Sequence, residues 1–209
     1  MKVDVQPLLI LQKLIPAHRG VFSFNELKNL LMSRTALDAH RQIRSLLQAK
    51  VLTRFCRGFY VAQEFDLEWL SQRLCPGSAI SMGTILAENL LIGSIPQKAV
   101  YAVKVGKSHI YKSPVGQVVQ LGFTNRKDVG QLWFGYTNNK FGVCRADIEK
   151  AFLDTLYFYQ LGRRFSFNVY SDIQVDRLNR KKLKTYLARY KNPKFRAFVK
   201  GVLDGYDSE

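Results

Sequence analysis

The first sixty residues alternate between apolar clusters at helical spacing and short β-prone runs. Residues 5–15, VQPLLILQKLI, suit a short buried helix that His18-Arg19-Gly20 breaks. Ser23-Phe24-Asn25-Glu26 has the form of a capping box, in which the serine oxygen accepts from a free helix N–H and the glutamate reaches back. A second helix follows through Leu27, Leu30 and Leu31, and a turn at Met32-Ser33 leads into a longer periodic run from Arg34 to Ala49. There Ala36, Ala39, Ile43, Leu46 and Leu47 line one face. Arg34, Arg41, Ser45 and Gln48 fall on the other, with Arg44 beside them; Leu37 leans outward without a role in the pattern. Val51–Arg54 and Phe59–Val61 are β-prone, and Phe55-Cys56-Arg57-Gly58 between them predicts a hairpin turn. Helices followed by a hairpin give the order of a winged helix-turn-helix.

Beyond residue 62 the pattern changes. Asp66 to Leu74 predicts a short helix stopped at Pro76-Gly77, and Ser81 is placed to cap another through Leu90, ended by Ile95-Pro96. From Ala99 to about Cys144 the runs AVYAVKV, VGQVVQLGF, QLWFGYT and FGVC predict a small antiparallel sheet. The strongest helical run starts at Asp147, where Ile148, Ala151, Phe152, Thr155, Leu156 and Tyr159 repeat at i, i+3, i+4 and i+7 until Gly162. A helix beginning near Asp176 or Asn179 carries Leu183, Tyr186, Leu187 and Tyr190 on its apolar face, and Asn192-Pro193 separates it from a last helix with Phe195, Phe198, Val199 and Val202.

Charge sharpens this outline. Of 209 residues, 32 are Lys or Arg and 16 are Asp or Glu, a net charge of +16. Residues 1–60 hold ten basic and three acidic side chains, 61–160 ten and eight, and 161–200 twelve and two. Two basic ends around a nearly neutral middle point to specific polyanion surfaces, nucleic acid first. An apolar fraction of 47% supports a packed core. No apolar run approaches the ~20 residues of a spanning helix, and no leader pattern opens the chain. Cys56, Cys75 and Cys144 are odd in number and widely spaced, which predicts reduced thiols and a cytoplasmic location without membrane association.

A recognition helix reads base edges in the major groove with its N-terminal residues. Arginine suits guanine and glutamine suits adenine. The candidate DNA-reading residues are therefore Arg34, Thr35 and Arg41, then His40, Arg44 and Gln48, with Arg54 and Arg57 on the hairpin for phosphate or minor groove. A second candidate is the basic cluster Arg180, Lys181, Lys182, Lys184 and Arg189, suited to DNA or RNA phosphates or to an ordinary solvated face. Enzyme signatures fail. Val105-Gly106-Lys107-Ser108 ends like a phosphate-binding loop, but Tyr101 stands where its first glycine is needed. His18, His40 and His109 lack metal-ligand spacing.

Several segments, in order, resemble the AbiEi family, the antitoxins of AbiE-type bacterial toxin–antitoxin systems. Gly58-Phe59-Tyr60-Val61 resembles the family's RGxYV strand. Pro76-Gly77-Ser78-Ala79-Ile80-Ser81 with Leu86 and Ile95-Pro96 resembles its GSYISL segment, with Thr84-Ile85-Leu86 where SAL is usual. Glu149-Lys150-Ala151-Phe152-Leu153-Asp154 is similar to its EKALLD helix, with Ile148 where a proline usually precedes it, and residues 176–183 are similar to its LDRLxRKxL helix. The resemblance implies an N-terminal winged helix that binds operator inverted repeats and represses its own operon. It also implies a C-terminal domain that opposes a nucleotidyltransferase-type toxin without needing a stable complex with it.

The sequence thus predicts an α+β chain. A winged helix-turn-helix spans residues 1–62, and residues 63–209 form a mixed domain with a small antiparallel sheet and C-terminal helices. The expectation is a DNA-binding repressor and antitoxin, not an enzyme, with no cofactor or metal and an unassigned oligomeric state. Two alternatives stand beside it: an interaction protein binding toxin or RNA through its C-terminal domain, and a nucleic-acid enzyme centred on Glu149, Lys150 and Asp154.

Overall fold

The structure, a computed structural model, describes residues 5–93, 98–123 and 132–206, with side chains described from Leu9 onward. The fold is mixed α and β, with eight α-helices and sheets of three and six strands among the described residues. The chain divides into two compact units, Met1–Leu70 with Tyr111–Gln117, and Ser71–Ile110 with Val118–Glu209. The expected helix stop at Ile95-Pro96 lies outside the described residues.

The first unit begins with α1 (Val5–Leu14), β1 (Val21–Ser23), α2 (Phe24–Leu30) and α3 (Ala36–Gln48), and continues into β2 (Thr53–Cys56) and β3 (Phe59–Val61). The capping box forms: Ser23 Oγ accepts from Glu26 N at 3.2 Å, and Glu26 Oε2 accepts from Ser23 N at 2.8 Å. The hairpin forms too, turning through Gly58 at φ +80. Strand β1 is absent from the sequence reading. It pairs antiparallel with β3, from Val21 opposite Val61 to Ser23 opposite Phe59, and completes a sheet in the order β1-β3-β2. Three residues are too few to show alternation, and Ser23 serves both as strand end and as helix cap.

Gly20 makes that strand possible. Its φ is +69, and a Cβ there would lie 2.2 Å from the Glu64 carbonyl oxygen, so both conformation and space demand glycine. The core beneath is Leu11, Phe22, Leu27, Leu31, Ile43, Leu46, Leu52, Tyr60 and Ala62, with Leu47 and Val51 packed against it. Ala36, expected on the inner face of α3, is exposed instead, because it lies in the first turn, ahead of the buried stripe that starts at Ala39. Helix α4 (Leu67–Leu74) starts under Asp66, whose Oδ1 accepts from Trp69 N at 2.9 Å.

The sheet of six strands comprises β4 (Ala79–Ile80), β5 (Ala99–Val105), β6 (His109–Ser113), β7 (Gly116–Phe123), β8 (Tyr136–Asn138) and β9 (Cys144–Ala146), in the order β6-β7-β5-β4-β9-β8. It corrects the expected small antiparallel sheet. Strand β4 pairs antiparallel with β5 but parallel with β9, Ile80 opposite Arg145. A parallel pair needs a long crossover. A two-residue strand whose partner lies some sixty residues away leaves no local signal.

Helix α5 (Gly83–Glu88) is also capped differently from the sequence expectation: Met82, at φ 53, occupies the cap without a side-chain bond. The Ser81 hydroxyl instead donates to Asp154 Oδ2 at 2.6 Å. Helix α6 (Ile148–Gln160) begins where expected, and Asp147 proves to be its cap, Oδ1 accepting from Lys150 N at 2.8 Å. Helices α5, α7 (Arg180–Ala188) and α8 (Pro193–Tyr206) all pack on it, and a 3-10 turn over Val175–Arg177 precedes α7. With Lys150, Ala151, Phe152, Leu153, Asp154, Thr155 and Leu156 consecutively buried, α6 is enclosed on all sides, where its sequence suggested a single apolar face.

Candidate nucleic-acid interface

The outward face of α3 is built by its own periodicity. Ala39, Ile43 and Leu46 are buried, so the residues between them on the opposite side are held in solvent. Leu37, Arg41, Arg44 and Gln48 make one continuous exposed strip at spacings of four, three and four. Arg34 is exposed but lies in the bend before the helix rather than in it. Thr35 is the N-cap: its hydroxyl oxygen accepts from Asp38 N at 3.1 Å.

Asp38 organises the first turn. One oxygen accepts from the Arg41 guanidinium at 3.0 Å and the other from Gln42 Nε2 at 3.0 Å. Arg41 nevertheless keeps 83% of its side-chain surface exposed, so the pair orients the guanidinium without covering it. His40 is exposed at one edge, and its ring leans on Phe24 at a centroid distance of 4.6 Å, a contact that ties α3 to α2. Thr35, Leu37, Asp38, His40, Arg41 and Arg44 line a shallow depression of about 470 Å³ on this face.

On the hairpin, Arg54 and Arg57 are both exposed. Arg54 Nε donates to the Cys56 carbonyl at 3.5 Å, a long contact that leaves the rest of the guanidinium available. Burial pushes the Cys56 thiol up from its usual value, with Arg54 opposing in part, so the thiol stays protonated at neutral pH.

In the second unit the members of the basic cluster differ in their surroundings. Lys181, Lys184, Arg180 and Arg189 are exposed. Lys182 is engaged: its ammonium sits 2.9 Å from Glu149 Oε2 and 3.1 Å from Asp147 Oδ2. Arg189 lies over the Phe134 ring, 4.5 Å from its centroid. Burial alone would raise Glu149 and lower Lys182. Their mutual hydrogen bond reverses both, aided at Glu149 by Asn179 N donating at 3.0 Å and at Lys182 by Asp147: the carboxyl is held below its usual value and the ammonium above it. Tyr186 donates to Asp147 Oδ2 at 2.6 Å, and burial together with that bond pushes its phenol up to about 12.

Glu149, Lys150 and Asp154 are not brought to one open site. Glu149 turns toward α7. Lys150 and Asp154 have no solvent-exposed side-chain surface and form an ion pair in the core. Asp154 Oδ2 also accepts from Ser81 and from Tyr136, the latter at 2.8 Å, and Lys150 Nζ donates to the Tyr190 hydroxyl at 3.0 Å. The Lys150 ammonium is ringed by Phe123, Phe134, Tyr136 and Tyr190 at 4.9–5.5 Å. Burial pulls Lys150 below its usual value, Asp154 partly restoring it, while burial and the Asp154 charge push Tyr136 and Tyr190 well up, so both phenols stay protonated, Tyr136 donating to Asp154 and Tyr190 accepting from Lys150. Gly135, at φ +71, lets the chain close over this group, since a Cβ would stand 2.9 Å from that of Lys150.

Among known proteins the likeness is one of fold. The chain is similar in structure to the RV2827C protein from Mycobacterium tuberculosis, with a TM-score of 0.61 and 13% identity over 98% of this chain and 78% of that one. No protein-family model and no curated protein matches the sequence. No helix among the described residues is long and apolar enough to cross a membrane.

The side-chain partners are only faintly marked in the sequence. Asp38, three residues before Arg41, had the spacing of a helical ion pair, and that spacing was the available signal. The Lys150–Asp154 pair at i, i+4 carried the same signal, but its burial depends on side chains far along the chain, among them Ser81, Phe123, Tyr136 and Tyr190.

Proposed function

We propose that the first unit is a winged helix-turn-helix that binds duplex DNA. In this reading α3 is the recognition helix and the β2–β3 hairpin is the wing. The observation that carries the proposal is the exposed strip of α3. A packed inner face fixes the helix, and Arg34, Arg41, Arg44 and Gln48 stand clear of it with one guanidinium already oriented by Asp38. Side chains of these types match guanine and adenine edges in the major groove. Arg54 and Arg57 on the hairpin supply charge for phosphates. The net charge of +16 favours association with a polyanion.

The order of segments shared with the AbiEi family supports a biological role: repression of the chain's own operon by operator binding, and opposition to a nucleotidyltransferase-type toxin. Lys181, Lys184 and Arg189 in the second unit then add phosphate contacts, and Lys182 serves as a structural cation. The closed Lys150–Asp154 pair supports a non-catalytic second unit, because neither group is open to a substrate.

A gel shift with the DNA upstream of the gene, run at two salt concentrations, tests this. Binding that favours that DNA over an unrelated duplex and weakens with salt is expected. Equal binding to both duplexes, or none, removes the repressor role.

A further inference from the structure

Leu37 is 82% exposed, level with Met32 as the most exposed large apolar residue described. It stands in the first turn of α3, between Thr35 and Asp38, on the same strip as Arg41 and Arg44. Among the described residues of its unit, the core cluster and the side chains packed against it do not include Leu37. The inner face is complete with Ala39, Ile43 and Leu46, and an exposed leucine adds nothing to the packing of α3. It does line the depression shared with His40, Arg41 and Arg44. An apolar side chain among arginines and a histidine suits a partner that is itself mostly polar and offers one small apolar group.

We propose that Leu37 is a specificity-determining residue that packs on the 5-methyl group of a thymine in the bound duplex. The inference rests on the DNA-binding reading of α3 and goes beyond it by naming a base. In the major groove thymine presents an O4 acceptor and the C5 methyl, and that methyl is the one apolar feature any base pair offers there. Leu37 and Arg41 are separated by four residues, about 6 Å along the helix axis. With a rise of about 3.4 Å per base pair, the thymine falls within about two base pairs of the base that Arg41 reads.

The test replaces each thymine of the upstream duplex, one at a time, by deoxyuridine, which removes only the methyl. Fluorescence anisotropy then gives the affinity of the wild type and of Leu37→Ala for each duplex. Burying one methyl is worth about fourfold in affinity, so the wild type loses that much at one thymine, or at a symmetric pair. Leu37→Ala binds the unmodified duplex more weakly by a similar factor and is indifferent to uracil at that position, whereas Leu37→Met retains the sensitivity. Losses that add independently in Leu37→Ala overturn the proposal, as does a wild type indifferent to every thymine methyl. If Leu37→Ala breaks up an oligomer and keeps the full thymine dependence, the side chain holds a second copy and the proposal fails. Binding that depends on Arg41 but on no thymine methyl sinks this inference alone. No binding to any duplex sinks the reading beneath it as well.

Discussion

Arg41 and Thr35 show how single side chains prepare the face of α3. The Asp38 carboxylate holds the Arg41 guanidinium in place before any ligand arrives, and Thr35 satisfies a free N–H of the same turn. If Arg41 is bidentate to a guanine, Arg41→Ala should lower discrimination at one base pair by about 1–3 kcal/mol, as read by binding to operator variants. Unchanged discrimination across those variants would remove Arg41 from base reading. Thr35→Ala should cost about 1 kcal/mol of stability through the lost cap, with Thr35→Ser close to wild type in urea unfolding. At this scale the sequence was partly legible. The Ser23 cap, the helix start at Asp147 and the outward arginines followed from spacing alone. The roles of Thr35 as cap, His40 as packing group and Lys182 as ion-pair partner did not, because each depends on what a neighbouring element or turn presents to it.

Helices α6 and α7 are joined by charge as well as by packing. Glu149 is held below its ordinary 4.5, so its contribution to stability is present above that value and is lost as pH falls through the lowered one. Lys182 is raised above its ordinary 10.5, so its contribution persists up to that value and is lost as pH rises through the raised one. Stability from this contact therefore spans the range between, and Glu149→Gln should flatten the acid limb of a urea-midpoint profile. With Lys182 38% exposed, solvent screening limits the loss at neutral pH to roughly 1 kcal/mol or less. An acid limb as steep as that of the wild type would place the acid sensitivity elsewhere.

The enclosed pair behaves differently. Lys150→Met alone leaves Asp154 as a buried charge and should cost about 3–5 kcal/mol in thermal or urea unfolding. Adding Asp154→Leu should recover part of it, and only part, because Ser81 and Tyr136 then lose their acceptor. A single variant as stable as wild type would show that the pair is not closed to water. The helices themselves were readable from apolar spacing, whereas β1, β4 and the parallel β4–β9 contact were not. Strands of two or three residues have no period to detect, and their partners lie far along the chain.

For the whole molecule, charge and topology carry the argument. The uneven distribution of basic residues was visible in the sequence, and it gives a quantitative expectation. Lys184 is exposed, so Lys184→Ala should weaken binding to every duplex alike and reduce the slope of log affinity against log salt by about 0.9, one phosphate contact. An unaltered slope would take the second unit out of the interface. The most direct measurement is an anisotropy titration of a labelled upstream duplex with the wild type and with Arg34→Ala/Arg41→Ala/Arg44→Ala, whose exposed substitutions spare the core. We expect saturable, salt-sensitive binding by the wild type and a loss of at least about 100-fold in the triple variant, given about 1–3 kcal/mol for each bidentate contact. Equal affinity of the two proteins for the duplex would contradict a DNA-reading role for α3.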